Sequence, residues 1–367
     1  MQSREPAAEL RAILVRTVQR PALHNLALVL AGAIALASCD SSTADREAAP
    51  PTTAQRLPPP SPILADQGPE AALTPIASAT AAQSPSASKR TDLPSAPDPE
   101  LLARYSWIEG DQDKDGTHRV ADTLDQRFPS PAGFSRVDLP ADGFGAFLRT
   151  LPLAPKHTPV SSFSDDTILG PDHPNLAAVA AIDIGSRDLQ QCADSIVRLH
   201  AEWRFSTGKR DHSYRSASGV ALPFARYLRG ERIVLVGKQI QWQQKGRRRR
   251  ANHDALRAYL DSVFAWANTG SLARQAKSVR REQLRPGDFF VMPGGPGHAV
   301  LILDVARAED GRIALLLGQG FMPAQSFHIL RPDPSNPWFI IEADDNRGVT
   351  TPFWQTFPWS SLHRLDS

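Results

Sequence analysis

Between Arg285 and Gln325 the chain reads RPGDFFVMPGGPGHAVLILDVARAEDGRIALLLGQGFMPAQ, and packed β-structure is the form that suits it. Three apolar runs, Asp288 to Met292, Ala299 to Val305 and Arg312 to Gln319, are bounded by Pro/Gly clusters or an Asp-Gly turn, the pattern of short strands. A hairpin closing symmetrically over Ala308 and Glu309 pairs Asp304 with Ile313, Ile302 with Leu315 and Val300 with Leu317. One further step puts His298 opposite Gln319. Directly opposed residues share a face with Cβ atoms about 5 Å apart, so an imidazole and a carboxamide are expected to meet at the open end of an apolar ladder. There the carboxamide can orient the ring. The other face carries Ala299, Leu301, Leu303 and Val305 against Ala314 and Leu316, which predicts a sheet covered on both sides.

A helix is the second element. Asp188 with Gln191 three residues on reads as a capping box, and the helix runs to about Trp203. Leu189, Cys192, Ala193, Ile196, Leu199, His200 and Trp203 fall on one face by the i, i+3, i+4, i+7 rule. Cys192 is then in the first turn and faces inward. Free amide donors and the positive end of the helix dipole are expected to lower a thiol's pKa there, although a Cys on a core stripe also serves simply as packing.

The N-terminal third differs in character. Arg4, Arg11, Arg16 and Arg20 precede an apolar core, Leu26 to Ala37, that ends Leu36-Ala37-Ser38-Cys39. That core is too short to cross a bilayer of about 30 Å comfortably, so residues 1–38 read as an export signal. The ending resembles the bacterial lipobox, which implies cleavage before Cys39, lipidation of its sulfur and attachment to a membrane on the periplasmic side. Asp40 resembles an inner-membrane retention signal, and other lineages read it differently. Of the 32 prolines, many crowd between Ala49 and Pro99, and residues 39–99 are rich in Ala, Pro, Ser and Thr. Such a segment buries too little surface to fold. At roughly 60 residues it spans on the order of 40 Å as a flexible coil. Residues 100–367 are enough for a single domain.

With a net charge of +2, nothing in the composition calls for nucleic acid as a partner. Cysteine usage is sharper. Once Cys39 is taken by the anchor, Cys192 is alone in an oxidising compartment.

At the start of the folded part, Asp111, Asp113, Asp115 and Asp122 have calcium-loop spacing. The last is Asp where a bidentate Glu is expected, and His118 stands where an apolar residue packs, so a solvated acidic turn is the other reading. Phe144 to Leu151 predicts a short amphipathic helix, Leu176 to Ile184 and Ile233 to Trp242 strands, and His253 to Asn268 an amphipathic helix. Lys245 to Arg250 is a basic loop that suits solvent, or the phosphates of an anionic lipid or wall polymer. Trp338, Trp354 and Trp359 mark a wrapping tail. A zinc site at Cys192 and His298 lacks two ligands, and the sequence calls for no cofactor.

Cys192 at a helix start, His298 at a strand start and Gln319 on the next strand are the parts of thiol-based acyl transfer: nucleophile, base and a group that orients the base. The Cys192 amide, and the side chain of Gln190 or Gln191, are candidate oxyanion donors. His200 on the same helix lies about 12 Å along the axis from Cys192, too far to be the base. His328 reads as core packing or a surface group.

Arg285-Pro-Gly-Asp-Phe-Phe followed by Gly297-His-Ala-Val-Leu-Ile-Leu-Asp resembles the pattern of the NlpC/P60 and CHAP cell-wall hydrolases of the papain-like superfamily, whose Cys, His and third polar residue come in this order. That resemblance implies an α+β, papain-like fold with the Cys-bearing helix packed on an antiparallel sheet. It maps the catalytic groups onto Cys192, His298 and Gln319. Gln-Gln-Cys-Ala-Asp replaces the family's Asp-x-Ser-Gly surroundings, and Gln stands where His, Asn or Glu is usual. Over nearly the whole folded part the chain is similar to a family of bacterial exported proteins known as domain of unknown function 4846. It shares Phe147-Leu-Arg-Thr-Leu-Pro-Leu153, Asp188-Leu-Gln-Gln-Cys-Ala-Asp194, the Gly-Gly-Pro-Gly run before His298, and Met322-Pro-Ala-Gln325. The expected function is a membrane-tethered envelope cysteine hydrolase of amide bonds, in peptidoglycan stem peptides or another envelope peptide. The alternatives are a non-catalytic lipoprotein whose groove binds peptide or glycan, and an acyltransferase with the same pair of groups.

Overall fold

The computed structural model describes residues 97–366 apart from 111, 115 and 117. The export signal, Cys39 and the tether as far as residue 96 lie outside the described residues. So do Asp111 and Asp115 of the acidic loop. Among the described residues no helix is long and apolar enough to cross a membrane.

The fold is α+β and centres on one antiparallel sheet of nine strands. In chain order they are β1 (Ser135–Arg136), β2 (Leu176–Val179), β3 (Lys277–Ser278), β4 (Phe289–Met292), β5 (His298–Arg307), β6 (Ile313–Gln319), β7 (His328–Leu330), β8 (Phe339–Ile341) and β9 (Leu362–Arg364). Across the sheet the order is β3-β9-β4-β5-β6-β7-β2, with β8 pairing to β6 and β1 to β5. Four helices matter for the site: α1 (Phe144–Arg149), α2 (Cys192–Ser206), α3 (His253–Phe264) and α4 (Thr269–Gln275).

The long apolar runs of β5 and β6 form the middle of the sheet because both of their faces are buried, as expected for strands without an alternating polar face. On one face Ala299, Leu301, Leu303 and Leu316 pack with Ile196, Val197 and Leu199 of α2. On the other, Val300, Ile302, Leu315 and Leu317 pack with Phe290 and Phe357 and against Trp354 and Trp359. Each leucine of β6 is wholly buried and contributes on the order of 2 kcal/mol. The aromatic tail does cover the core, with Trp338 on the α2 face and Trp354 and Trp359 on the other.

The hairpin register differs from the symmetric closure. Its turn runs through Ala308 to Arg312, and Arg307 pairs with Ile313, Ala306 with Ala314, Val305 with Leu315 and Asp304 with Leu316. A β-bulge then intervenes, and Ile302 pairs with Leu317 and Leu301 with Gly318. Leu303 is the extra residue. The buried Asp304 beside it receives Arg136 Nε at 2.6 Å and Arg149 Nε at 2.9 Å, and such partners are what a wholly buried carboxylate needs.

Elsewhere the boundaries shift. Ile233 to Trp242 is not one strand but parts of two, Glu231–Val236 and Gln239–Gln244, folded back on each other about Gly237 and Lys238. Gly237 has φ +60°, the left-handed backbone that a two-residue hairpin loop uses. The strand expected to reach Ile184 stops at Val179, and the chain turns away before Asp183.

Asp183 is needed at that turn. Arg198 of α2 is wholly buried. Its Nη2 bonds Asp183 Oδ2 at 2.9 Å, its Nε bonds Glu202 Oε1 at 2.8 Å and its Nη1 bonds Gln190 Oε1 at 3.0 Å. Glu202 also meets His253 Nε2 at 2.9 Å. Arg257 Nε reaches Asp183 at 3.2 Å. The guanidinium thereby ties the loop before Cys192 to the body of α2 and to α3.

Candidate functional site

Helix α2 begins at Cys192, three residues later than the capping-box pattern suggests, with Gln191 in the cap position. The Gln191 N–H donates to Asp194 Oδ2 at 3.2 Å, so the acid that caps this helix lies inside it. Asp188 has a different task. Its Oδ1 accepts the Ala324 N–H at 2.7 Å and Gln191 Nε2 at 2.9 Å, which fastens the Met322–Gln325 loop to the start of α2. Cys192 is thus the first helical residue, where the backbone N–H has no partner within the helix.

His298 is the first residue of β5 and Gln319 the last of β6. His298 Nε2 is 2.8 Å from Gln319 Oε1, so the expected pair forms, although through another register. Extending the observed pairing one step puts Gln319 opposite Val300, which leaves His298 two residues along on the same face. Without the bulge at Leu303 the pairing nearer the turn would continue, and Gln319 would stand opposite Leu301, facing away from the ring. On its other side Gln319 Nε2 is 3.2 Å from Nε2 of His328. His328 Nδ1 in turn is 3.0 Å from the Ser326 carbonyl oxygen. His328 is therefore part of the site and not only of the core.

Two contacts carry Cys192 to this group. The N–H of Ala299, next to His298, is close enough to the Cys192 sulfur to pull its pKa down. Gly320, next to Gln319, lies so close to the first turn of α2 that a Cβ there would overlap the Ser195 hydroxyl and meet Gln191 O at 3.1 Å. No hydrogen bond joins the sulfur to the ring, and His298 Nδ1 is buried with no partner among the described residues. The ring sits in an aromatic box, with centroids of Phe321 at 4.7 Å, Trp354 at 5.0 Å and Phe357 at 6.0 Å. Trp354 Nε1 is likewise unpartnered.

Cys192 lines a cleft of about 420 Å³ together with Gln191, Asp194, Asn268, Thr269, Met322 and the Gly294–Gly297 loop leading to His298. A larger cavity, about 480 Å³, lies beside Asp183 and Arg257 and shares Leu189 with this cleft. The smaller one is the cleft that Cys192 borders, and His298, Gln319 and His328 are not among its lining residues.

The electrostatics reverse one expectation. Burial pushes the Cys192 thiol up to about 11, and the nearby Asp194 adds to it, while the N–H groups of Ala193, Ala299 and Cys192 pull the other way and lose. The amide donors of the helix start are present, but desolvation outweighs them. Burial likewise raises Asp194 to about 8 and lowers His298 to about 4 despite the Gln319 bond. At neutral pH the site holds a thiol, a neutral imidazole and a protonated carboxyl group.

Gln190 is turned to Arg198 and Gln191 to Asp188, so the Cys192 N–H is the donor left for an oxyanion. His200 bonds Tyr214 Oη at 3.0 Å and the Asp366 carbonyl at 2.9 Å, away from the sulfur. Asp113 accepts the His118 N–H at 3.0 Å, and Asp122 is engaged by Arg127 Nε at 3.0 Å. No group of three His, Cys, Asp or Glu among the described residues could hold a metal ion. Arg247 to Arg250 are exposed, with Arg249 over the Tyr227 ring at 5.7 Å. Sequence reasoning passed over His328 and the aromatic box because neither has a local pattern. His328 becomes Gln319's neighbour only through the pairing of β6 with β7.

A family model described as domain of unknown function (4846) matches residues 124–364. That span holds Cys192, His298, Gln319 and His328. No curated protein and no solved structure matches the chain.

Proposed function

We propose that this chain, which belongs to the family of domain of unknown function 4846, is a cysteine hydrolase of amide bonds with a papain-like arrangement, tethered to a membrane of the cell envelope through Cys39. The observation that carries the reading is His298: its Nε2 is bound by Gln319 and its Nδ1 is unspent, one residue from Ala299, whose N–H lowers the Cys192 thiol pKa. In the reaction Cys192 Sγ attacks the amide carbonyl carbon while its proton passes to His298 Nδ1. The Cys192 N–H at the helix start faces the developing oxyanion. His298 then gives that proton to the leaving nitrogen, the C–N bond breaks and a thioester remains. Water attacks the thioester, losing a proton to His298, and frees acid and thiol. Because thiol and imidazole are both neutral at rest, proton transfer accompanies attack and does not precede it.

Peptidoglycan stem peptides or another envelope peptide are the substrates that the expected location favours. The test is incubation of the full-length chain with purified peptidoglycan and its soluble fragments. Release of fragments with new amino termini, absent in Cys192→Ala, is expected. A wild-type chain that releases none and forms no acyl adduct on Cys192 overturns the reading. Anchoring is tested separately by metabolic labelling with a radioactive fatty acid, which Cys39→Ala should abolish.

A second reading, a lipoprotein whose groove binds peptide or glycan without cutting it, is favoured by the raised thiol pKa. Saturable binding of the same fragments, equal in wild type and Cys192→Ala and without turnover, would select it.

A further inference from the structure

We propose that His328 is a positioning residue: it fixes which way round the Gln319 carboxamide lies and, through it, which nitrogen of His298 carries the proton. The inference rests on the hydrolase reading for its purpose, since only a lone pair on Nδ1 can take the proton of Cys192.

A carboxamide has two orientations of nearly the same shape, one offering oxygen and the other NH2 to a given neighbour. Gln319 is almost wholly buried between two histidines, so its orientation must be set by them. The decisive partner is a backbone carbonyl. Ser326 O, 3.0 Å from His328 Nδ1, can only accept, so Nδ1 of His328 carries the hydrogen. A neutral imidazole has one N–H, and a wholly buried ring with His298 nearby is kept neutral. His328 Nε2 is then an acceptor, and the group 3.2 Å away must be the NH2 of Gln319. That turns Oε1 towards His298 at 2.8 Å, which requires the proton on His298 Nε2 and leaves the lone pair on Nδ1. The sequence of donors runs His298 to Gln319 to His328 to Ser326 without a gap.

Without His328 the amide is free to reverse. A reversed amide would present NH2 to His298 Nε2, and the ring would then carry its hydrogen on Nδ1, where it cannot accept the thiol proton. This gives the otherwise weak orienter Gln319 the direction that a carboxylate would have by charge.

The test uses the full-length chain labelled with ¹⁵N in histidine, in which ring-nitrogen chemical shifts distinguish the two tautomers, together with the rate of Cys192 alkylation by iodoacetamide. In the wild type, His298 is expected as the Nε2–H form and His328 as the Nδ1–H form. In His328→Phe, which keeps the ring but removes the acceptor, His298 should become a mixture of both forms. Alkylation at pH 7 should fall about tenfold or more, to the rate of His298→Ala, the loss that a wrong tautomer brings. His328→Gln, whose side-chain oxygen can again accept from Gln319, should restore both readings. A wild-type His298 protonated on Nδ1 overturns the proposal, as does an unchanged tautomer in His328→Phe. The wild-type spectrum decides even if that variant does not fold. Tautomers that respond as stated, with alkylation that is equally slow in wild type and His298→Ala, would uphold His328's role in orienting the amide and overturn the hydrolase reading instead.

Discussion

His298 and Gln319 meet diagonally across the hairpin, not on one rung, and their 2.8 Å hydrogen bond depends on a single extra residue, Leu303, in the strand between them and the turn. The bulge changes the parity of the register, so that two polar side chains share a face at the mouth of an apolar sheet.

The close approach of Gly320 to α2 is the first point open to test. In Gly320→Val the new Cβ would overlap the Ser195 hydroxyl and press on Gln191 O, and overpacking of this kind costs about 1–3 kcal/mol. Urea midpoints should fall accordingly, and the proposed hydrolysis should be lost before the fold is, because the displaced element carries Cys192. Equal activity in this variant would show that Cys192 does not need its place beside Gln319.

Thiol reactivity should follow the burial of Cys192. With the thiol near 11, iodoacetamide alkylation of His298→Ala, in which no base assists, should be slow at pH 7 and climb about tenfold per pH unit towards pH 10. Asp194 is neutral below about pH 8, so Asp194→Asn should match the wild type at pH 7 and react faster above pH 8, where the native carboxylate opposes thiolate formation. A plateau already reached by pH 8 would contradict this order of pKa values.

Acid should destabilise the fold between about pH 6.5 and 4. Burial lowers His298, His328 and His212 each to about 4 and His200 to about 3. Over that window the unfolded chain binds ring protons that the native state refuses, so each ring's contribution is full above it and falls as pH drops, by up to about 1.4 kcal/mol per pH unit, while Asp194, raised to about 8, offsets one ring's share. His212 has no partner on either ring nitrogen, which makes it the clean control. His212→Phe should flatten the dependence of the urea midpoint on pH without lowering stability at pH 7. A wild-type midpoint that is constant from pH 7 to 5 would refute the assignment.

Breaking the buried guanidinium should be severe. Arg198→Met leaves Asp183 and Glu202 buried with fewer counter-charges, a loss of about 3–5 kcal/mol. Arg312→Met, which removes a largely exposed pair with Asp310 and a stack on the Phe134 ring, should move the urea midpoint far less. Similar midpoints for the two variants would mean that the loop before Cys192 is not held by Arg198.

Much of this protein was settled by the order of its residues alone. The unbroken apolar runs around Leu301 and Leu316 require a two-sided burial, the i, i+3, i+4 stripe from Cys192 to Trp203 requires a helix on that sheet, and the Gly/Pro punctuation delimits the strands, because these follow from local geometry and the removal of apolar surface from water. Tertiary structure decided the rest. Periodicity cannot report a bulge, so the register of β5 on β6 and the face of Gln319 were fixed only by packing and by Arg136 and Arg149 gathering at Asp304. Nor can a capping pattern tell Asp188 from Gln191 when a distant backbone, at Ala324, claims the acid. The pKa of Cys192, the aromatic box around His298 and the partnership of Gln319 with His328 depend on how far each group is withdrawn from solvent and on which strands become neighbours, and both are properties of the folded chain as a whole.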